Sequence, residues 1–382
     1  MSPTPVTFAS PTAPAGYSWE ATTEEVAARY GLGPEDVIRF DLNTSPAPPE
    51  LASRLLAAGR FETPLSEYPP SDYRRLTEAA AARYGVSADE LLVGAGADEI
   101  LDLAAKAFLP PGSVAVVPVP TYAMYRILTE QREARVIAVP RLPAEQGWAL
   151  DVRAVREAAR TAALVWLCSP NNPTALPEPD GTVAALLEGI AVDAAREGRP
   201  TPVVVLDEAY AEFVGRSLAD LRLEWPNLIA VRTASKAYAL AGLRVGFAIA
   251  DPKIIERLNP YRPPGSVSTV SVTVVTEALR DDTIVPANVA RVEAERVRLS
   301  AALTDLGWSV GASVTNFLLV DVGTPERAAA TAEGLLRCGL VPRTFPAGHP
   351  LARYLRLTVR DTTENDRLID AARAIPSTDA VR

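Results

Sequence analysis

The chain has 382 residues, 48% of them hydrophobic and 22% charged, which is enough to bury a large core and ordinary for a globular protein of two or three domains. Its formal net charge of −9 argues against a generic nucleic-acid surface, although a local basic pocket for a small anion stays open. No run approaches the length of a membrane span, and "MSPTPVTFASPTAPAG" lacks the basic-then-apolar order of a signal peptide, so a cytoplasmic protein with no membrane or nucleic-acid partner is expected.

Residues 1–20, rich in Pro, Thr and Ala, read as a loose arm. "TTEEVAARYGLGPEDV" predicts a short helix from Thr23 that ends at Gly31, and the Pro-rich "FDLNTSPAPPE" predicts a loop. "SDYRRLTEAAAARY" predicts a helix from about Ser71 to Tyr84, capped by Ser71 and stopped by Gly85. Strands and helices then alternate. "ELLVGAG" is a strand and a turn, "ADEILDLAAKAFLPPG" a helix, "SVAVVPVP" a strand and "TYAMYRILTEQRE" a helix. "ARVIAVP", "AALVWLC" and "PVVVLDEAY" are short apolar runs that suit strands buried on both faces, with a helix over 183–198 before the last. "NLIAVRTAS" and "RVGFAIAD" complete the set. The rhythm predicts an α/β fold with a doubly wound, mostly parallel sheet.

Around 255–285 the pattern changes to a Pro/Gly loop and a helix. A long helix over 288–307 with a mostly solvated face follows, then strand, helix, strand, helix. These last elements predict a small α+β domain at the C-terminal end.

Cys168 and Cys338 sit in apolar surroundings, so buried free thiols are expected; there is no disulfide framework and no zinc spacing. Any Ser-His-Asp or Cys-His mechanism would have to use His349, the single histidine. It lies in "FPAGHPLARY", which reads as a loop.

In open α/β sheets, ligands bind beyond the carboxyl ends of the strands. Polar residues concentrate at four such ends: Gly94–Glu99, Ser169–Thr174, Asp207–Tyr210 and Ser235–Lys236. Asp207 ends a fully apolar strand, so it needs a cation nearby unless it simply caps the next turn. A protonated pyridinium nitrogen or an Arg would serve. "GAGADEI" runs from a strand through a Gly-rich turn into a helix start, which offers free N–H groups to an anion or is a plain tight turn. Asn172 precedes Pro173, so its backbone is expected extended, with its amide placed to donate to an oxygen or to close a turn.

The chain carries 38 Lys plus Arg, of which only Lys106, Lys236 and Lys253 are lysines. Lys236 lies in "RTASKAYALAGLRVGF", among small residues. An amine there can lose its proton when burial or a cation such as Arg244 lowers its pKa, which an Arg cannot do. A surface lysine is the bland alternative.

Together, "SPNNPT", "VVVLDEAY" and "SKAYALAGLRVGF" in this order resemble the pyridoxal-phosphate (PLP) enzymes of the aspartate-aminotransferase fold, fold type I. The similarity runs from about Asp41 to the last helix. "EYPPSDYRRL", "GAGADEIL", "PTYAMYR", "DEAYAEF", "TNFLLVD" and "LRLTVR" are similar to the histidinol-phosphate aminotransferase subgroup.

The resemblance implies a large PLP-binding domain over 46–265, a small domain over 266–382, and an N-terminal segment, 1–45, packing on the small domain. It implies a catalytic set of Lys236, Asp207 and Tyr210. Lys236 holds the cofactor as a Schiff base and shuttles a proton, and Asp207 pairs with the pyridinium nitrogen. Asn172 and Tyr210 bond the 3′ oxygen, and Tyr122 stacks on the ring. The backbone N–H groups of Ala97 and Asp98, with Ser235 and Arg244, hold the phosphate. Tyr68 reaches the other subunit of a homodimer. Arg356 binds the substrate carboxylate or phosphate, Arg343 is a second substrate-phosphate residue, and Asn172 also faces the substrate. The implied reaction moves an amino group between a small-molecule donor, histidinol phosphate, and a 2-oxo acid acceptor, 2-oxoglutarate, without a metal.

The alternatives are an aminotransferase for aromatic or other amino acids, or a PLP-dependent decarboxylase, oxidase or cyclase. A non-catalytic binding protein on this scaffold, or a nicotinamide-dependent dehydrogenase, would be a different class. An intact Lys236 disfavours the first and an incomplete glycine fingerprint the second. Ala175 and Ala239 stand where the family commonly has Gly, and "PPGSVSTVS" and "LNTSPAPP" also depart from the subgroup.

Overall fold

Twelve strands are present among the residues, 16–375, that the computed structural model describes. They are β1 (Ile38–Arg39), β2 (Leu91–Gly94), β3 (Val114–Val119), β4 (Arg135–Pro140), β5 (Leu164–Cys168) and β6 (Val203–Asp207), followed by β7 (Leu228–Thr233), β8 (Gly246–Ala250), β9 (Ser309–Val310), β10 (Phe317–Asp321), β11 (Leu340–Val341) and β12 (Tyr354–Thr358). Most of the arm expected over residues 1–20 lies outside the described residues. None of the described helices is long and apolar enough to cross a membrane.

Seven strands form the central sheet in the order β2-β8-β7-β6-β5-β3-β4. Only β8 runs antiparallel to its neighbours; every other pairing is parallel. The β-branched and leucine runs of β5 and β7 are buried throughout, as a sheet covered on both faces requires. β4 is a correction to the expected two-sided burial: it is the edge strand, and only Val139 in it is buried.

Alternation along the strands assigns the two faces. In β5 and β6, Val165, Leu167, Val204 and Leu206 pack in the core formed with helices Val152–Ala159 and Thr182–Glu197. Trp166 and Val205 pack in the opposite core, with helices Gly96–Phe108 and Met124–Gln131. Asp207 has the parity of Val205, so its side chain belongs on the face of helix Met124–Gln131.

The helix ending at Gly31 is Thr23–Tyr30, closed by a capping box between Thr22 and Glu25. The helix expected from Ser71 begins instead at Arg74, with Tyr73 at its N-cap in the left-handed region (φ 45°) and no side-chain cap. The Tyr73 ring is buried, and its hydroxyl accepts from Val267 N at 3.0 Å. Tertiary packing of an aromatic overrides the local preference for a serine cap. Helices Glu50–Ala58, Val152–Ala159 and Pro252–Leu258 were not legible in the pattern; each has nine residues or fewer.

Beyond helices Thr269–Arg280 and Ile284–Asp305, β10 pairs antiparallel with β9 and β12, and helices Pro325–Arg337 and Thr362–Ala374 accompany this sheet. β1 pairs in parallel with β11. Cys168 is buried as expected, whereas Cys338 is exposed, at the C-cap of helix Pro325–Arg337.

One close approach ties β8 to a helix start. A Cβ on Gly246 would lie 2.4 Å from the carbonyl carbon of Gly96 and 2.5 Å from Ala97 N. Both contacts are backbone, so no side chain can turn aside. Gly246→Ala is expected to destabilise the protein by about 1–3 kcal/mol through overpacking. Denaturant titration checks this, and an unchanged midpoint would contradict it.

Candidate active site

The ends of β2, β3, β5, β6 and β7 open on one cavity of about 630 Å³. Asp207 lies at its floor, 5% exposed. Its Oδ2 accepts from the Tyr125 hydroxyl at 2.8 Å and its Oδ1 from Ala209 N at 3.0 Å. No ion pair reaches it among the described residues, which removes the Arg alternative left open by the sequence. Burial pushes its carboxyl up to about 6, against the two hydrogen bonds and the charge of Lys236, which favour the anion.

Lys236 follows β7 and lines the same cavity, half-buried. Its Nζ donates to Asn43 O at 3.2 Å and stands 5.8 Å from the Tyr210 ring centroid. Desolvation, then the guanidinium of Arg356, lowers its pKa to about 8; Asp98 opposes this, and Arg244, the cation expected to do the work, adds less than Arg356. The turn after Lys236 carries Ala239 in the left-handed region (φ 56°), as Ala175 does after "NNPT" (φ 66°). The conformation that the family's glycines would favour is kept, with alanine in it.

At the other end of the cavity, helix Gly96–Phe108 presents the first-turn N–H groups of Ala97 and Asp98, which have no acceptor within the helix. Gly96 is in the left-handed region (φ 84°), and a Cβ there would meet Arg244 Nη2 at 2.6 Å. Arg244 pairs with Asp98 (Nη2 to Oδ2, 3.1 Å), each side chain about half exposed. The Ser235 hydroxyl accepts from Thr233 Oγ1 at 2.9 Å, which leaves its own proton to donate. A left-handed glycine, a helix start, a guanidinium and a hydroxyl thus form an anion cradle.

Between these ends, Asn172 Oδ1 accepts from Arg356 Nη1 at 2.7 Å, so the amide nitrogen of Asn172 is free to donate. The Asn172–Pro173 peptide is cis. Tyr210 accepts from Asn43 Nδ2 at 2.9 Å, leaving its hydroxyl proton free. Arg356 is buried; its Nη2 donates to Asp41 O, and its Nε has no partner among the described residues. The Tyr122 hydroxyl donates to Asp98 Oδ1 at 3.0 Å, and its ring meets that of Tyr125 edge-on at 5.7 Å.

Two expected residues stand apart. Tyr68 is 91% exposed and does not line the cavity, so within one protomer it takes no part. Arg343 lines an adjoining cavity of about 460 Å³ that shares Tyr17, Tyr122, Asn172 and Arg356 with the first. Its Nη1 donates to Ser18 O at 2.6 Å, and Glu20 lies 3.7 Å away. His349 lines that second cavity, its Nδ1 accepting from Leu351 N at 3.1 Å. Sequence reasoning missed Asn43, which holds Tyr210 and Lys236, and Tyr125. Tyr125 was detectable in principle, as an aromatic hydroxyl three residues after Tyr122 at the start of a helix.

A molecule bringing an aldehyde, a ring nitrogen able to carry a proton and a phosphate would find a complementary group at each end of this cavity: Lys236, Asp207 and the cradle. Pyridoxal 5′-phosphate is such a molecule, and the fold is that of its fold type I enzymes, aligning with a Thermus thermophilus aspartate aminotransferase mutant at a TM-score of 0.72. The chain belongs to the class I and II aminotransferases, matching that family over residues 39–371, and its cofactor is pyridoxal 5′-phosphate. It is 36% identical to histidinol-phosphate aminotransferase of Symbiobacterium thermophilum, over 92% of this chain and 93% of that protein. It is 37% identical to the enzyme of the same name from Roseiflexus castenholzii, again over 92% and 93% of the two chains. The crystal structure of histidinol-phosphate aminotransferase from Sinorhizobium meliloti in complex with pyridoxal-5′-phosphate aligns with a TM-score of 0.82 and 25% identity, covering 94% of this chain and 95% of that one.

The lowered pKa of Lys236 has a direct consequence. In cofactor-free protein, labelling of Lys236 by an amine-reactive reagent is expected to rise with pH through a midpoint near 8. Arg356→Met, which removes a neighbouring positive charge, is expected to move that midpoint upward. Peptide mass spectrometry across pH checks both, and a midpoint near the ordinary lysine value in the native protein would contradict the site geometry.

Proposed function

We propose that the chain transfers an amino group between histidinol phosphate and 2-oxoglutarate, with Lys236 and Asp207 as its central residues. The observation that carries this reading is the 36–37% identity to histidinol-phosphate aminotransferases over 92% of the chain. The charge of the adjoining cavity supports it. Arg126, Arg343 and Arg356 line that cavity and, among the described residues, no carboxylate does, as suits a substrate with a phosphate at its far end.

When bound, the cofactor supplies an electron sink that makes the substrate's Cα–H acidic. The chain's own residues do the rest. Lys236 would hold the cofactor through its amine, and its neutral Nζ would be the base that takes and returns a proton at the substrate's Cα. The pKa of about 8 keeps a usable fraction of that amine unprotonated near neutral pH. Asp207 holds a proton on the ring nitrogen. Tyr210 and Asn172 each keep a donor for the 3′ oxygen. Ser235, Arg244 and the N–H groups of Ala97 and Asp98 anchor the phosphate, and Tyr122 flanks the ring. Arg356 orients the substrate by its charge, and Arg343, drawn from Ser18 and Glu20, meets the distal anion. Tyr68, projecting from its own protomer, serves the site of a second copy in a homodimer.

Mixing the cofactor-loaded protein with single amino donors tests the substrate assignment. Histidinol phosphate and glutamate are each expected to bleach the visible cofactor band within the mixing experiment. Bleaching by aromatic amino acids alone would contradict it.

A further inference from the structure

We propose that Tyr125 is a positioning residue for Asp207: its buried hydroxyl fixes the carboxylate at Oδ2, favours the anion, and leaves the remaining acceptor sites of Asp207 to the cofactor's ring nitrogen. The inference rests on the reading of Asp207 as the partner of that nitrogen.

The geometry is specific. Tyr125 is 0% exposed. Its ring stacks on Trp166 at 5.4 Å between centroids and 10° between planes. The Trp166 Nε1 donates to Thr129 Oγ1 at 3.0 Å, and that hydroxyl donates back to Tyr125 O at 2.7 Å. Ring, helix turn and strand thus form a closed support beneath the hydroxyl, which makes the 2.8 Å bond to Asp207 Oδ2 and also meets the Cys168 thiol. Both protein contacts of Asp207, from Tyr125 and from Ala209 N, present hydrogens to the carboxylate. Hydrogen bonds of that sense favour the charged form. Burial raises the phenol's pKa well above its ordinary value, so Tyr125 remains a donor at any working pH.

Other titratable groups also face Asp207. Asp98 comes from helix Gly96–Phe108, Tyr122 from the loop before helix Met124–Gln131, Cys168 from β5, Lys236 from the turn after β7 and Tyr210 from the loop after β6. Asp98 works against the anion and Lys236 for it. None of them hydrogen-bonds the carboxylate; among the described residues Tyr125 is the one side chain that does.

The test is the pH dependence of pyridoxal 5′-phosphate binding to cofactor-free protein, read by quenching of intrinsic fluorescence and checked by equilibrium dialysis. Native protein is expected to lose affinity as pH falls through about 6, where Asp207 gains its proton. Tyr125→Phe removes the donor, so Asp207 protonates more readily, and that midpoint is expected to rise by about one pH unit. At pH 7 the Kd is expected to rise about twofold, and at pH 5 about tenfold. The cofactor phosphate and Lys236 also titrate in this range, but both are common to native and variant protein, so the difference between the two profiles carries the result. If Tyr125→Phe does not fold, 3-fluorotyrosine placed at position 125 keeps the shape with a stronger donor, and the midpoint is expected to fall. An unmoved midpoint in whichever variant folds overturns the role of Tyr125. Asp207→Asn separates the two readings. If it binds the cofactor as tightly as native protein, the reading of Asp207 itself fails; if it binds weakly while the Tyr125 variants leave the midpoint unmoved, only the inference about Tyr125 fails.

Discussion

A carboxylate taken out of water at the end of an apolar strand, with no guanidinium or ammonium paired to it, is the constraint around which this site is built. Asp207 holds two hydrogen bonds and no ion pair among the described residues, and burial raises its pKa to about 6. Left alone, such a group is poised to take up a proton. A cofactor whose ring nitrogen carries a proton would supply the missing cation, and the buried environment would make the attraction stronger than it is in water. The parallel sheet explains why the acid can sit there. Strand β6 is fully flanked, so its end is dry, and strict alternation turns Asp207 to the face of Tyr125 and Trp166.

The amine answers the acid across the same cavity by the opposite logic. Desolvation and the nearby Arg356 push Lys236 toward its neutral form, while Asp98 and Asp207 restrain the shift. The result is a lysine near the middle of its titration at mildly alkaline pH. It is neither a permanent cation nor a fully neutral base. Arg244 also lowers the Lys236 pKa, as its spacing suggested, but by less than Arg356, and it has a second part. It pairs with Asp98 at the helix start, half-exposed, where an incoming phosphate would compete for it. Arg356 is the more deeply buried cation, and its hydrogen bonds to Asn172 and to the backbone at Asp41 tie the C-terminal sheet to the loop after β5 and to the segment after β1.

Much of this was legible in the sequence because the informative residues sit where chain physics makes them conspicuous. Asp207 ends an unbroken apolar run, Asn172 is bracketed by prolines, and Lys236 is one of three lysines in a chain that uses arginine almost everywhere else. The strands of the central sheet stood out for the same reason, since two-sided burial demands continuous apolar residues. What escaped depended on contacts between distant segments. Asn43 reaches Tyr210 and Lys236 from a loop whose sequence shows only prolines and small polar residues. The start of helix Arg74–Tyr84 is set by where the Tyr73 ring is buried, not by Ser71. The partial exposure of β4 and the surface position of Cys338 follow from the sheet's edge and a helix end, which composition does not report.

Borohydride reduction of the cofactor-loaded protein, followed by peptide mass mapping, reads the covalent attachment directly. Among Lys106, Lys236 and Lys253, the pyridoxyl group is expected on the peptide carrying Lys236 and on no other. Finding it on another lysine, or finding no modified peptide while the protein retains transaminase activity, would contradict the pairing of that amine with Asp207 across one cofactor.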